Sequence, residues 1–249
     1  MSGPLNSTVM WLTWRQLFAR RRLWLAITFS LAPAFFTLVF RVLADDGPSS
    51  EATFFNTLTR EIVIGTLLPL AALIFGTTAF GGEVDDGTLL YLLVKPIQRW
   101  HVQASKVVVS VLSTVAVVTP AIVLPWLVLA GPDVTARSAM SYLAGAALGS
   151  LLYCTVFLAL GLANRRALVI GLLYVVSFEG ILSRSLPGFK SFSIREFSLA
   201  VAQAASNGAV DIQGAVSTST VWWMGTFILV AATLSAGFRL VRYEVAERL

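Results

Sequence analysis

The chain has 249 residues, of which 57% are hydrophobic and only 12% charged, and its mean hydropathy is +0.80. That charged fraction is about half of the ~25% usual in soluble domains, so an ordinary soluble fold is excluded. The net charge of +5 comes without a clustered basic face interleaved with aromatic or groove-reading elements, which removes nucleic-acid binding and leaves an all-α integral membrane protein.

In chain order, residues 9–22 place Met10, Trp11, Trp14, Leu17 and Phe18 at helical spacing, with Arg15, Arg20, Arg21 and Arg22 available to anionic headgroups. The pattern predicts an N-terminal amphipathic interfacial helix, apolar side chains at the acyl boundary and guanidinium groups among the headgroups. A topology anchor and an element that transmits force both fit it. Asn6-Ser7-Thr8 matches a glycosylation sequon, without meaning on a cytoplasmic segment. No small-residue cleavage pattern follows the first apolar run, so the N-terminus is expected to be retained.

A bilayer core about 30 Å thick needs roughly 20 apolar helical residues per crossing. Six runs are predicted to cross: 23–43, 62–80, 107–129, 142–163, 168–182 and 221–240. The fifth is short, bounded by Arg165 and Arg166 on one side and crowded by Glu179 and Arg184 on the other, so five or seven crossings are the alternatives. Pro33, Pro69, Pro120 and Pro125 fall in or beside these runs and predict kinks, tolerable where neighbours re-satisfy the freed carbonyls. Ser141, Gly145 and Gly149 form a small-residue stripe on the fourth run, fitted for close packing by another helix. Cys154 is the only cysteine, which rules out an intramolecular disulfide.

Basic residues near span ends are retained on the cytoplasmic side. With both termini cytoplasmic, Arg15, Arg20, Arg21, Arg22, Lys95, Arg99, Lys106, Arg165, Arg166, Arg239, Arg242 and Arg248 lie inside. Arg41, Arg60, Arg137, Arg184, Lys190 and Arg195 then lie outside. This two-to-one bias sets the expected orientation.

Residues 81–106 are expected to form a cytoplasmic loop carrying a short helix presented to another protein. Glu83, Asp85 and Asp86 gather at its front, Gly87 and Thr88 turn the chain, leucines fill the middle, and Lys95, Pro96 and Arg99 close it. The outer loop 183–220 carries its own helix signal, with Ser193 and Glu196 in capping-box relation, a helix-compatible run over Ile194–Ser206 and a stop at Asn207-Gly208. Ile194, Phe197, Val201 and Ala204 are expected to share its apolar face, which would lie on or dip into the outer leaflet. Glu179 is the chemically odd residue, because a carboxylate in hydrocarbon marks either a pathway or an ion pair, here with Arg184 or Arg41. His101 is a lone histidine expected to be solvated in the cytoplasmic loop, with no second ligand for a metal.

No Gly-rich loop ending in Gly-Lys-Ser/Thr is present, and one histidine cannot furnish a catalytic set. The chain is therefore not expected to be an enzyme, and its energy must come from elsewhere. Six crossings, a basic amphipathic N-terminal helix and the run Glu83…Gly87-Thr88-Leu89…Leu92-Leu93…Pro96…Arg99 resemble the type-2 ATP-binding cassette (ABC) exporter permeases. The chain departs from that pattern in having Gln98 where a serine often precedes the arginine, and Asp85 and Asp86 where Glu or Arg often stands. The resemblance implies a single permease domain that homodimerises or pairs with a similar permease in a bacterial-type cytoplasmic membrane. It also implies two separate ATPase subunits, which bind the ATP and Mg, and a docking role for Glu83, Asp85, Asp86, Gly87, Thr88, Lys95, Pro96 and Arg99. A gradient-driven carrier or channel using Glu179, and a non-transporting assembly subunit, are the alternatives that residues alone leave open.

Overall fold

The computed structural model describes residues 20–43, 48–85, 99–164, 166–182, 187–208, 210 and 216–246. Among them the secondary structure is entirely helical. Helix α1 spans Arg20–Leu43. The next element is one uninterrupted rod of three parts: α2 (Pro48–Thr57), a π-helical segment π1 (Leu58–Leu67) and α3 (Leu68–Asp85). Thr57 and Leu68, at the two joints, both keep right-handed helical angles, and the Leu68 N–H donates to the Val63 carbonyl five residues back. Pro69 follows directly. A proline lacks the N–H and presses on the carbonyl four residues earlier, and the wider π turn relieves both demands.

Helix α4 spans Arg99–Leu129 with Pro120 and Pro125 inside it, and α5 spans Ala136–Ala163. After a short turn, α6 (Ala167–Tyr174) runs directly into a second π segment, π2 (Val175–Leu182). A 3₁₀ turn (Pro187–Phe192) leads to α7 (Ile194–Ser206), and α8 spans Thr218–Ala246. Four stretches are long and apolar enough to cross a membrane: Ser50–Phe80, Trp100–Leu129, Ala136–Ala163 and Thr218–Arg239. Ile27–Leu43 and Ala167–Ile181 are shorter apolar helices.

Several expectations are corrected by this architecture. The helices outrun the apolar runs: of the expected loop 81–106, residues 81–85 continue α3 and residues 99–106 begin α4, and the rest lies outside the described residues. Continuing the helix satisfies backbone groups that would otherwise be bare near hydrocarbon. His101 accordingly sits in the first turn of α4, partly buried, rather than in a loop. The fifth run keeps close to its expected limits, but its 15 residues from Ala167 to Ile181 reach only about 22 Å at 1.5 Å per residue, short of a full hydrocarbon core.

Helix α7 fills space inside the bundle. Its limits match the sequence reading, with the Ser193 hydroxyl accepting from the Glu196 N–H and Asn207 in the left-handed conformation at φ 49°. Of the expected face, Ile194 and Phe197 are buried, but in the second half of the helix the burial shifts to other positions. Phe197, Ser198, Leu199 and Ala202 are buried, whereas Val201 is only partly so and Ala204 is exposed. The cause is the glycine stripe of α5. A Cβ added at Gly145 or Gly149 would collide with Ser198, so the two helices meet backbone to backbone. Gly76 against Phe157 and Gly161 against the Thr77 carbonyl make a second close approach, between α3 and α5, nearer their far ends.

Candidate functional site

One cluster of buried polar groups lies where π1, π2 and the N-terminus of α7 converge. Arg195, only 3% exposed, donates through Nη2 to Glu61 Oε1 on π1 at 2.8 Å and through Nη1 to Glu196 Oε1 at 2.9 Å. Arg60 Nε lies 3.4 Å from the same Glu61 oxygen. On the other side Glu179, a residue of π2, accepts from the Ser193 hydroxyl at 2.5 Å, from the Ile194 N–H at 3.0 Å and, at 3.4 Å, from the Tyr174 hydroxyl five residues back. Five-residue spacing brings side chains together on a π turn, as three- or four-residue spacing does on an α-helix.

The chemistry of Ser193 makes the junction. Its hydroxyl gives its proton to Glu179 and takes the Glu196 N–H, while its own N–H goes to the Lys190 carbonyl at 3.2 Å. Glu196 is thereby released from the reciprocal half of a capping box and turns to Arg195. Glu179 sits at the N-terminus of α7, where unpaired N–H groups and the helix dipole favour a negative charge. Of the three carboxylates gathered here, Glu61 and Glu196 face guanidinium groups and Glu179 faces a helix end. Arg41 is engaged elsewhere, donating to the Val128 carbonyl and so joining the ends of α1 and α4. Arg184, the other partner expected for Glu179, lies outside the described residues.

A second set of contacts lies near the end of α3 and the start of α4. Lys106, fully buried, donates to the Ala79 carbonyl at 2.5 Å and stands 4.2 Å from the centre of the Phe80 ring. Gln103 donates to the Thr233 carbonyl at 3.0 Å, tying α4 to α8. The last turns of α3 and the first turns of α4 and α8's lower half are thus held together. Glu83 and Asp85 end α3 as helical residues, and Arg99 opens α4. Asp86, Gly87, Thr88, Lys95 and Pro96 lie outside the described residues, as do Trp11, Trp14 and Arg15; Arg20, Arg21 and Arg22 form the first turn of α1.

Sequence reasoning missed the Arg195–Glu61 pair, and it counted Lys106 only as a topological charge. A signal existed for Lys106, a lone lysine seven residues into an apolar helix. None existed for Glu61 and Arg195, which are 134 residues apart and both stand beside stretches that read as outer loop.

What the arrangement does is tie π1 and π2 to the N-terminus of α7. A family model described as "ABC-2 family transporter protein" matches residues 8–164. No curated protein matches the chain. The matched region covers more than half of the sequence and includes α1 through α5, and the chain belongs to the ABC-2 transporter family as one of its membrane permeases.

Proposed function

We propose that this chain is the membrane-spanning subunit of an ATP-driven exporter, working as a dimer with two separate ATPase subunits that dock on residues 86–98 and on Glu83, Asp85 and Arg99 at its edges. In this reading six helices cross the membrane, both termini are cytoplasmic, and α7 with the Arg195–Glu61 and Glu179 contacts closes the outer half. The observation that carries it is the continuous rod Pro48–Asp85. One end of that rod leads into the docking segment, and its other half carries Glu61, the partner of Arg195.

An ATPase pair can act on the membrane part only through a contact whose geometry differs between two states. A displacement of the docking segment moves Asp85, the rod carries it outward, and Glu61 shifts against Arg195. The Lys106 and Gln103 contacts keep α3, α4 and α8 together at the receiving end, so the push is not lost in local bending. Loss of one charge-assisted bond between Glu61 and Arg195 costs about 1.5–3 kcal/mol, small enough for a nucleotide-driven step to reverse. The positioning of Glu179 as a cap for α7 supports this reading over a gradient-driven carrier, since its oxygens already accept from α7 and Ser193.

Purification of the tagged chain from its membranes in mild detergent, with mass spectrometry and an ATPase assay, tests the proposal. The expected result is a near-stoichiometric ATP-binding cassette protein, with Glu83→Ala or Gly87→Pro uncoupling transport from hydrolysis while the chain still inserts. Recovery of the chain alone and without ATPase activity, or wild-type transport by both variants, refutes it.

A further inference from the structure

A groove of about 510 Å³ runs between α5, α6 and α8, touching the polar network only through Tyr174. It exists because small residues face each other: Ala159 and Ala163 on α5, Ala231, Ala232 and Ser235 on α8. Its rim includes Phe227 and Ile170, which are 69% and 41% exposed, so it opens to the surroundings of the bundle rather than into its core. The volume is within the ~300–1,000 Å³ of ordinary ligand sites.

Its polarity is graded along its length. Among the described residues that line it, Arg239 alone carries a charge, and it stands at the end of the groove beside Ala163, the last residue of α5. One Arg239 nitrogen donates to the Ala163 carbonyl at 3.3 Å; a guanidinium has five N–H donors, so others are left for a ligand. Arg166, exposed, lies in the turn that joins α5 to α6 at this same end. From Arg239 to Phe227 the groove follows twelve residues of α8, about 18 Å, close to the ~15 Å thickness of one hydrocarbon leaflet.

We infer that this groove holds an acyl chain of an anionic phospholipid of the cytoplasmic leaflet, with Arg239 binding its phosphate. Charge complementarity selects this occupant. A cation at the membrane surface above an apolar slot one leaflet deep matches a lipid with an anionic head, and basic sites between helices on the cytoplasmic side are suited to such headgroups. The inference rests on the orientation proposed above.

The test uses the purified full-length chain, delipidated in detergent and titrated separately with phosphatidylglycerol and phosphatidylcholine, binding being read by native mass spectrometry. Wild type is expected to prefer phosphatidylglycerol. Arg239→Ala should weaken phosphatidylglycerol binding roughly fivefold and leave phosphatidylcholine unchanged, Arg239→Lys should retain most of the preference, and Ala231→Trp, at an exposed position, should reduce both by filling the slot. Unchanged melting temperatures establish that the variants are folded. Equal binding of the two lipids by wild type, or phosphatidylglycerol binding unaffected by both Arg239→Ala and Ala231→Trp, overturns the inference. So does a cysteine introduced at Phe227 that cross-links to a second copy across the groove. None of these readouts involves ATP, so failure here leaves recovery of an ATPase partner as a separate result.

Discussion

Replacing Gly145 by alanine should detach α7 from the bundle, although alanine is the better helix former. The added methyl would be driven into the Ser198 carbonyl, with the Ala202 Cβ 3.1 Å away. Both lie on the partner helix, and a backbone carbonyl cannot rotate aside as a flexible side chain can, so α7 itself must move. Overpacking of this kind costs typically 1–3 kcal/mol, and a clash with backbone belongs at the upper end. Alanine regains about 1 kcal/mol of helix propensity, leaving a net loss of about 2 kcal/mol. Gly225→Ala is the control. A methyl there meets only Leu152 Cδ1 at 3.9 Å, an ordinary contact, so the same change on α8 should be neutral or stabilising. The assay is thiol labelling of Phe197→Cys, a position with 0% exposure, in membranes, against the background of the equally buried Cys154. If α7 opens about 2 kcal/mol more easily, labelling in the Gly145→Ala chain should accelerate roughly 30-fold over its glycine parent. Equal labelling rates with Gly145→Ala and Gly225→Ala would refute the argument that backbone contact holds α7 in place.

Two further outcomes follow from the polar network. Glu179→Leu leaves the Ser193 hydroxyl and the Ile194 N–H without their acceptor and should lower stability in detergent by about 2–4 kcal/mol, whereas Glu179→Gln keeps one acceptor oxygen and should lose about half as much; a Leu variant that melts with wild type removes the capping role. In a double-mutant cycle, Arg195→Met and Glu61→Gln should be non-additive by about 1–2 kcal/mol, with Arg195→Met the more damaging single change because it strands the buried Glu196. Strict additivity would mean that the 2.8 Å contact carries no coupling.

Much of the fold was legible because hydropathy reports the environment of each residue locally. The helix Ile194–Ser206 was bounded correctly by Ser193 and Asn207-Gly208, whose capping chemistry acts within a few residues. Its orientation was legible only in part: Ile194 and Phe197 are buried as the apolar periodicity indicated, but where it also pointed to Val201 and Ala204, Gly145 and Gly149, some fifty residues away, selected the small face at Ser198 and Ala202. The same limit applies to the network. Arg195 and Glu61 each looked like an ordinary external charge, and only the tertiary fold makes them partners. Glu179 stands out in the sequence as a carboxylate in an apolar run, yet its chief neighbours are a helix N-terminus and a serine, donors that charge counting does not register. The π geometry of Leu58–Leu67 and Val175–Leu182 was also hidden, since neither α nor π periodicity leaves a distinct mark over two turns.

The close approach of Gly76 to Phe157 has a mechanical consequence. It leaves the rod Pro48–Asp85 little free to translate at a point nine residues from its Asp85 end and fifteen from Glu61, or about 13 Å and roughly 20 Å along the axis. A stiff beam held there behaves as an unequal lever. A sideways movement of 2 Å at Asp85 would swing Glu61 by about 3 Å in the opposite direction, and a 2.8 Å ion pair does not survive a displacement of that size.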